Sequence, residues 1–221
     1  MKRIFAGCVV SAAVGLIAFG AFPLGSVVAH DGKDHGKAVE GAANIQAISQ
    51  GEYVSDPTHA YVTFSYNHLG FSNPTVGFRE STVRVNIDPV SLNTLAVDAV
   101  IKVASLESFV PGLNDHLLSD GFFDAANHPD IQFSAIAADL VHDNKGTLDG
   151  VLRIKGIEKP VRLDVVLNKV GQSPITKKET LGVSATGVIK RSDWGLDAYA
   201  PAVSDEVNVR IELELQKSED A

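Results

Sequence analysis

Residues 207–215 read Val-Asn-Val-Arg-Ile-Glu-Leu-Glu-Leu, so every second side chain is apolar and those between are polar or charged. Successive side chains of a β-strand point to opposite faces of its sheet, so this alternation predicts a strand with one buried and one solvated face. An amphipathic helix would instead place apolar residues three and four positions apart. This stretch decides the fold class because its pattern recurs along most of the chain.

The period-two pattern starts after residue 51. Seven further segments carry it, at residues 60–66, 83–87, 97–103, 131–137, 148–154, 161–167 and 181–189. Short turn sequences at residues 143–146 and 156–160 favour hairpins between neighbouring segments. Such a sheet can pack as a sandwich or close on itself, and closure removes its exposed edges. We therefore expect an all-β fold, an eight-stranded antiparallel up-and-down barrel.

One passage departs from the alternation. Residues 115–124 read Asp-His-Leu-Leu-Ser-Asp-Gly-Phe-Phe-Asp, which predicts a short helical insert near residues 112–124 that covers the barrel. Phe122 and Phe123 cannot both point the same way in extended chain. Either one ring packs inside the barrel while its neighbour closes the mouth, or both fill the barrel end.

Small residues interrupt the expected inner faces. They are Ala60, Gly77, Ala99, Ala135, Ala137, Gly150, Ala185 and Gly187. A filled core would carry larger side chains at most of these positions, because voids are costly. The pattern favours a cavity, although the small residues could equally make room for Phe and Trp side chains from the opposite wall.

The first residues indicate export. Lys2 and Arg3 precede a nearly uncharged run over residues 4–24, and Val27 and Ala29 occupy the −3 and −1 positions of a signal-peptidase site. A retained transmembrane anchor is the alternative, but glycines and a proline interrupt a run only just long enough to span. We expect a cleaved signal over residues 1–29, a disordered spacer over 30–50, the barrel over 51–217 and a tail over 218–221.

Charge and cysteine content restrict the function. The formal net charge of −8 becomes two units more negative once Lys2 and Arg3 are removed. An acidic surface argues against nucleic acid and against adsorption to anionic lipid headgroups. Cys8, the single cysteine, lies in the predicted signal, so the folded domain must be held by its core and not by disulfides.

Several polar side chains are candidates for ligand or metal binding. Four histidines could in principle form a metal site, but their spacing gives no helical i, i+4 pair, and structural roles are favoured. They are His59, His68, His116 and His128. Arg191 and Asp193 could hold a polar headgroup or stabilise a turn by pairing with each other. We expect no metal and no cofactor.

Six blocks of the sequence resemble the YceI-like family in order and spacing. They are residues 51–59, 67–70, 115–133, 150–161, 191–196 and 203–207. The resemblance covers residues 51–216. It implies a lipocalin-like barrel exported to the periplasm, whose lumen binds a polyisoprenoid, an isoprenoid quinone or a similar long-chain lipid. It implies no established catalytic residues.

On this resemblance, inward-facing side chains are expected to bind the ligand. They are Phe64, Tyr66, His68, Phe78, Ile101, Phe122, Phe123, Phe133, Leu163 and Trp194. Trp194 stands where the family usually has a smaller aromatic residue, and it is expected to alter the shape of the ligand channel.

The expected function is lipid binding for transport, storage or stress protection. The expected partner is a long-chain lipid, with no nucleic acid, no membrane span after cleavage and a possible homodimer. Two alternatives remain, a structural or interaction module of the periplasm and an enzyme acting on a lipid. The sequence contains no Gly-x-Ser-x-Gly elbow, no His-Glu-x-x-His and no phosphate-binding loop, which disfavours the enzyme.

Overall fold

The computed structural model describes residues 41, 43–142 and 144–219. Within them lie ten strands and one short α-helix: β1 (Gly51–His68), β2 (Thr75–Phe78), β3 (Ser81–Ile87), β4 (Ala96–Lys102), β5 (Leu106–Glu107), α1 (Leu113–Leu118), β6 (Asp130–His142), β7 (Lys145–Ile154), β8 (Ile157–Gln172), β9 (Glu179–Lys190) and β10 (Val203–Lys217). Single 3-10 turns lie at Ile45–Ala47, Leu92–Thr94, Val103–Ser105 and Arg191–Trp194.

Eight of these strands form a closed antiparallel barrel. The pairing order is β1, β3, β4, β6, β7, β8, β9 and β10, and β10 then pairs with β1 along most of its length. The barrel prediction is thereby confirmed, and α1 lies inside the predicted helical insert. The two shortest strands, β2 and β5, were not predicted, because four and two residues are too few to show an alternation.

The long strand β1 has two successive neighbours on one side. Its first residues pair with β3, and residues Val62 to Ser65 pair with β2. The register breaks between Ser55 and Ala60. Where β1 leaves β3, the buried hydroxyl of Ser55 accepts a hydrogen bond from the Val83 N–H at 2.9 Å, which replaces a strand-to-strand bond.

Buried side chains form two groups along the barrel axis. The lower group is mostly aliphatic and includes Val85, Val97, Leu167 and Leu181. The upper group is richer in aromatic residues, and α1 contributes Leu117 to it. The loops that join β1 to β2, β4 to β6, β7 to β8 and β9 to β10 all lie at the upper end, because the strands run alternately up and down.

Residues 43–50, the last part of the expected spacer, contact the barrel. Residues 1–40 and 42, which include the predicted signal, lie outside the described residues. Ile48 is buried in the lower core, and the Ser49 N–H and hydroxyl donate to the Glu179 carboxylate at 2.8 and 2.6 Å. The Tyr53 hydroxyl lies 2.7 Å from the Ser49 carbonyl oxygen and 2.6 Å from Glu179. A single buried isoleucine gives no periodic pattern, so the sequence did not reveal this ordered segment.

The alternation predicted for residues 131–137 fails at its end. The register of β6 against β7 shifts between Ala135 and Ala138, and Ala137 is exposed while Ala138 packs against the core. An extra residue in one strand reverses the faces that follow it. Ala137 therefore does not belong to the inner wall.

Two of the small residues do not open a cavity. A Cβ placed on Gly150 would overlap the Phe133 ring, and one on Gly187 would lie 2.8 Å from Cδ2 of Leu163. These glycines make room for large side chains on neighbouring strands. Ala99 and Ala185, two others of the set, do line the lumen described below.

Candidate ligand-binding lumen

The upper half of the barrel encloses an apolar cavity of about 490 Å³. Its lining includes residues of α1, of the β9–β10 loop and of seven strands: β1, β2, β4, β6, β7, β9 and β10. Seven of the predicted site residues line it: Phe64, Tyr66, His68, Phe78, Ile101, Phe122 and Phe123.

A second apolar cavity of about 230 Å³ lies in the lower half. Phe133 and Leu163, two further predicted site residues, line it. Five side chains belong to the walls of both cavities: Val62, Ile101, Leu152, Ile189 and Val209. We call this shared set of side chains the waist, and the cavities above and below it the upper and lower chambers of the lumen.

Three aromatic rings form one side of the upper chamber. The ring centre of Phe123 lies 6.1 Å from that of Phe64 and 5.9 Å from that of Phe78, and both contacts are edge-on. The Phe64 and Phe78 rings lie 5.9 Å apart. Phe123 thus joins the insert to β1 and β2, and its burial anchors the cover over the barrel.

A different aromatic group lies at the mouth. The Phe122 ring contacts the His116 ring on α1 at 4.7 Å, and it stacks on Tyr199 at 6.2 Å. Tyr199 belongs to the loop between β9 and β10, so Phe122 connects two loops across the opening. The structure thus separates the two adjacent phenylalanines, one in the core and one at the mouth.

Arg191 is the charged side chain in the wall of the upper chamber. Its guanidinium donates to the carbonyl oxygens of Ser204, Ala198 and Val203 at 2.9 Å each, and to that of Leu196. Asp193 is exposed, and these contacts of Arg191 are all to carbonyl groups, so the alternative in which the two side chains pair is not seen. The arginine is used to hold the β9–β10 loop in place over the mouth.

Tyr66 provides a polar atom within the apolar wall. Burial raises the pKa of its phenol, so the hydroxyl stays protonated and can donate a hydrogen bond. His68 and His116 lie in the same lining and are exposed toward the mouth. The chamber can therefore hold a long apolar chain with its polar end toward the opening.

Comparison with known proteins identifies the fold family. The profile of the YceI-like domain matches residues 53–215. The chain belongs to the YceI-like family. Curated relatives include the UPF0312 protein of Staphylococcus aureus strain N315, 30% identical over 145 residues that cover 66% of this chain and 82% of the relative. The UPF0312 protein of Pseudomonas fluorescens is 27% identical over 156 residues, covering 71% and 80%.

Solved YceI-like structures share the architecture. The Campylobacter jejuni YceI protein is 31% identical, with a TM-score of 0.62, and the match covers 69% of this chain and 90% of that one. BcnA of Burkholderia cenocepacia is 24% identical with a TM-score of 0.64, covering 72% and 98%. A polyisoprenoid binding domain of Saccharophagus degradans is 13% identical with a TM-score of 0.57, covering 77% and 100%.

Trp194 does not line this YceI-like lumen. Its side chain is 1% exposed, it belongs to the upper core, and its indole N–H donates to the Leu152 carbonyl at 3.2 Å. The tryptophan thus packs in the upper core and is tied to the backbone of β7. The structure therefore does not place this predicted site residue in the lining, because the 3-10 turn at Arg191–Trp194 directs the ring into the protein.

Sequence reasoning missed several lining residues. Leu113, His116 and Leu117 come from α1, and Leu196 and Tyr199 from the β9–β10 loop. The i, i+4 spacing of Leu113 and Leu117 was a usable signal for one apolar helix face. The loop residues follow no period, and their place in the wall depends on the carbonyl contacts of Arg191.

The four histidines do not assemble into one site. Across residues 41, 43–142 and 144–219, one group of three possible ligands is close enough to share a metal: Asp56, His59 and Glu214, on the outer face. Hydrogen bonds from the Thr58 backbone, His59 and the Thr58 hydroxyl lower the pKa of Asp56, and the bond to Asp56 raises the pKa of His59. These contacts stabilise the irregular segment of β1 between Ser55 and Ala60.

No helix in the described part of the chain is both long and apolar enough to cross a membrane.

Proposed function

We propose that this protein is exported to the periplasm and holds a long-chain amphiphile, such as a polyisoprenoid or an isoprenoid quinone, inside its barrel for transport, storage or stress protection. The observation that carries the proposal is the two-chamber apolar lumen, with about 490 Å³ above the waist and about 230 Å³ below it. The polyisoprenoid binding domain of Saccharophagus degradans has the same fold, which supports an isoprenoid chain as the ligand.

The shape of the lumen favours a chain over a compact ligand. Two apolar chambers in line, which share the side chains of the waist, suit a flexible molecule that extends along the barrel axis. The polar side chains Tyr66, His68 and His116 lie in the upper chamber, so the headgroup belongs near the mouth and the tail passes downward.

Two neighbouring residues of β9 provide a matched test. Ile189 lines the waist, whereas Val188 points outward and is 60% exposed. Ile189→Trp should block the lumen, and Val188→Trp should leave it open. Native mass spectrometry of protein recovered from its own exporting host should find lipid in the wild type and in Val188→Trp, and none in Ile189→Trp.

Two outcomes would contradict the proposal. Wild-type protein from its own host that carries no extractable lipid and binds no added isoprenoid quinone would favour a structural or interaction module. Lipid retained equally by Ile189→Trp, with an unchanged melting temperature, would contradict a ligand that passes through the waist.

A further inference from the structure

Large apolar side chains are exposed in three loops at the upper end of the barrel. They are Leu69 and Phe71 between β1 and β2, Phe109 and Val110 before α1, and Tyr199 between β9 and β10. Phe71 is 89% exposed and Phe109 is 79% exposed. Single exposed apolar residues are ordinary, but a group of large ones at one end of a protein marks an interaction surface. We call these five residues the apolar rim.

The apolar rim borders the mouth of the upper chamber. Leu69 and Tyr199 belong to the chamber lining. The Leu69 N–H donates to the Ala202 carbonyl at 3.2 Å, which joins the first loop to the third. The N–H of Leu113, another lining residue, donates to the Val110 carbonyl at 3.2 Å. The apolar wall of the chamber therefore continues outward onto the rim.

The backbone holds three rim residues in an uncommon conformation. Leu69, Phe109 and Tyr199 have φ angles of 56°, 62° and 64°. Bulky residues seldom adopt this left-handed region, and surrounding contacts must maintain it. For Phe109, the backbone N–H donates to the Glu107 carboxylate at 2.8 Å. The exposed positions of these side chains are thus built into the loops.

Charged side chains of both signs lie near the rim. Exposed carboxylates occur in the same connections, at Asp115 on α1 and at Asp120, Asp193 and Asp197. Basic side chains also lie at this end: the Lys155 ammonium donates to the Asp120 carbonyl at 3.4 Å, Arg153 and Lys190 are exposed, and the buried Arg191 donates to carbonyl groups.

We propose that the apolar rim docks the barrel on the surface of a lipid bilayer made of zwitterionic lipids, with the mouth facing the membrane. Aromatic and aliphatic side chains on an acidic protein suit shallow insertion among zwitterionic headgroups. In this orientation a lipid tail passes from the acyl region into the chamber without crossing water. This transfer rests on the proposed lipid-binding function, but the docking does not.

The lower end of the barrel offers a matched control. Val90 and Ile175 lie in the β3–β4 and β8–β9 connections and are 87% and 83% exposed. The experiment compares two double variants. The rim variant carries Phe71→Ser and Phe109→Ser, and the lower-end variant carries Val90→Ser and Ile175→Ser. All proteins come from the exporting host and share one N-terminus, so any contribution from residues 1–40 cancels.

Flotation with phosphatidylcholine vesicles measures the partitioning of each protein. We expect the rim variant to bind at least about tenfold more weakly than the wild type, because two exposed rings no longer insert. The lower-end variant should bind like the wild type, and both variants should melt like it. Replacing a third of the lipid with phosphatidylglycerol should weaken wild-type binding.

The proposal would be overturned if the wild type did not float with phosphatidylcholine vesicles or if its binding required anionic lipid. Equal losses of vesicle binding in the two variants would also overturn it. A rim variant that changes only the oligomeric state would assign the rim to a second copy of the chain and also overturn it. Quinone affinity in detergent separates docking from ligand binding, since the rim variant should keep that affinity. A wild type that binds no quinone in detergent would count against the proposed function alone.

Discussion

At the residue scale, Phe122 and Phe123 are neighbours in the chain but contact different parts of the barrel. Phe123 packs between Phe64 and Phe78, and Phe122 contacts His116 and Tyr199 at the mouth. We predict that Phe123→Ala lowers the free energy of unfolding by about 3–5 kcal/mol, because it leaves a cavity among packed rings. Chemical denaturation measures this loss.

Phe122→Ala should affect ligand affinity more than folding stability. Its half-buried ring contributes less to folding, but a ring at the mouth covers the ligand, so affinity for an isoprenoid quinone should fall roughly tenfold. Fluorescence titration of the folded variant measures this affinity. Unchanged affinity would remove Phe122 from the site, and equal effects of the two substitutions on stability would contradict the separation of the rings.

Gly150 provides a second prediction at this scale. Because an added Cβ would overlap the Phe133 ring, Gly150→Ala should lower the free energy of unfolding by about 1–3 kcal/mol. Gly182 in β9 is the control, since a Cβ there would lie 3.6 Å from its nearest neighbour, Cβ of Asn168. Gly182→Ala should be neutral or stabilising by up to roughly 1 kcal/mol. Urea unfolding of both variants tests the pair, and equal losses would contradict the close contact at Gly150.

At the scale of elements, side-chain alternation was enough to predict the eight barrel strands. It works because each strand has one face in the lumen and one in water, and the 207–215 stretch is the strongest case. It fails where the chain inserts a residue, as between Ala135 and Ala138, since a bulge leaves no local mark in composition. It also fails for residues 43–50, whose order depends on contacts with distant Glu179.

The ordered segment before β1 is predicted to stabilise the barrel. A chain that begins at Gly51 loses the burial of Ile48, worth roughly 1.5–3 kcal/mol, together with the Ser49 contacts to Glu179. We expect its melting temperature to fall by several degrees relative to a chain that begins at Gly41. Equal melting temperatures would show that this segment contributes nothing to stability.

The same contacts predict a pH dependence. Burial alone would raise the pKa of Glu179, but hydrogen bonds from Ser49 and Tyr53 and the charge of Lys217 outweigh it and lower the pKa. The folded state therefore favours the carboxylate, so its stabilising effect is present above the ordinary glutamate pKa and is lost as the pH falls through the lowered value. Melting temperature between about pH 5 and pH 3 should fall less steeply in Glu179→Gln than in the wild type. Parallel curves would contradict the assignment.

At the scale of the whole molecule, the position of the mouth could not be inferred from any one segment. The lumen residues Phe64, Phe78 and Ile101 were predictable as inward-facing positions on strands. Leu196 and Tyr199 were not, because their loop is placed by the four carbonyl contacts of Arg191, a network that exists only once the barrel is closed. Closure also creates the waist, which combines side chains from five strands.

The two chambers predict a dependence on ligand chain length. Saturation at about a hundred times the dissociation constant stabilises a protein by roughly 2.7 kcal/mol, which raises the melting temperature of a barrel of this size by roughly 5–10 °C. Ala185 lines the lower chamber, so Ala185→Leu should obstruct that chamber and leave the upper one unchanged. The melting shift produced by an octaprenyl quinone should then shrink, while the shift produced by farnesol, whose shorter chain fits above the waist, should persist.

Ala137→Leu on the exposed outer face is the control and should change neither shift. Equal losses for the two ligands would contradict the sequential chambers, and no loss for either would mean that the chain stops at the waist.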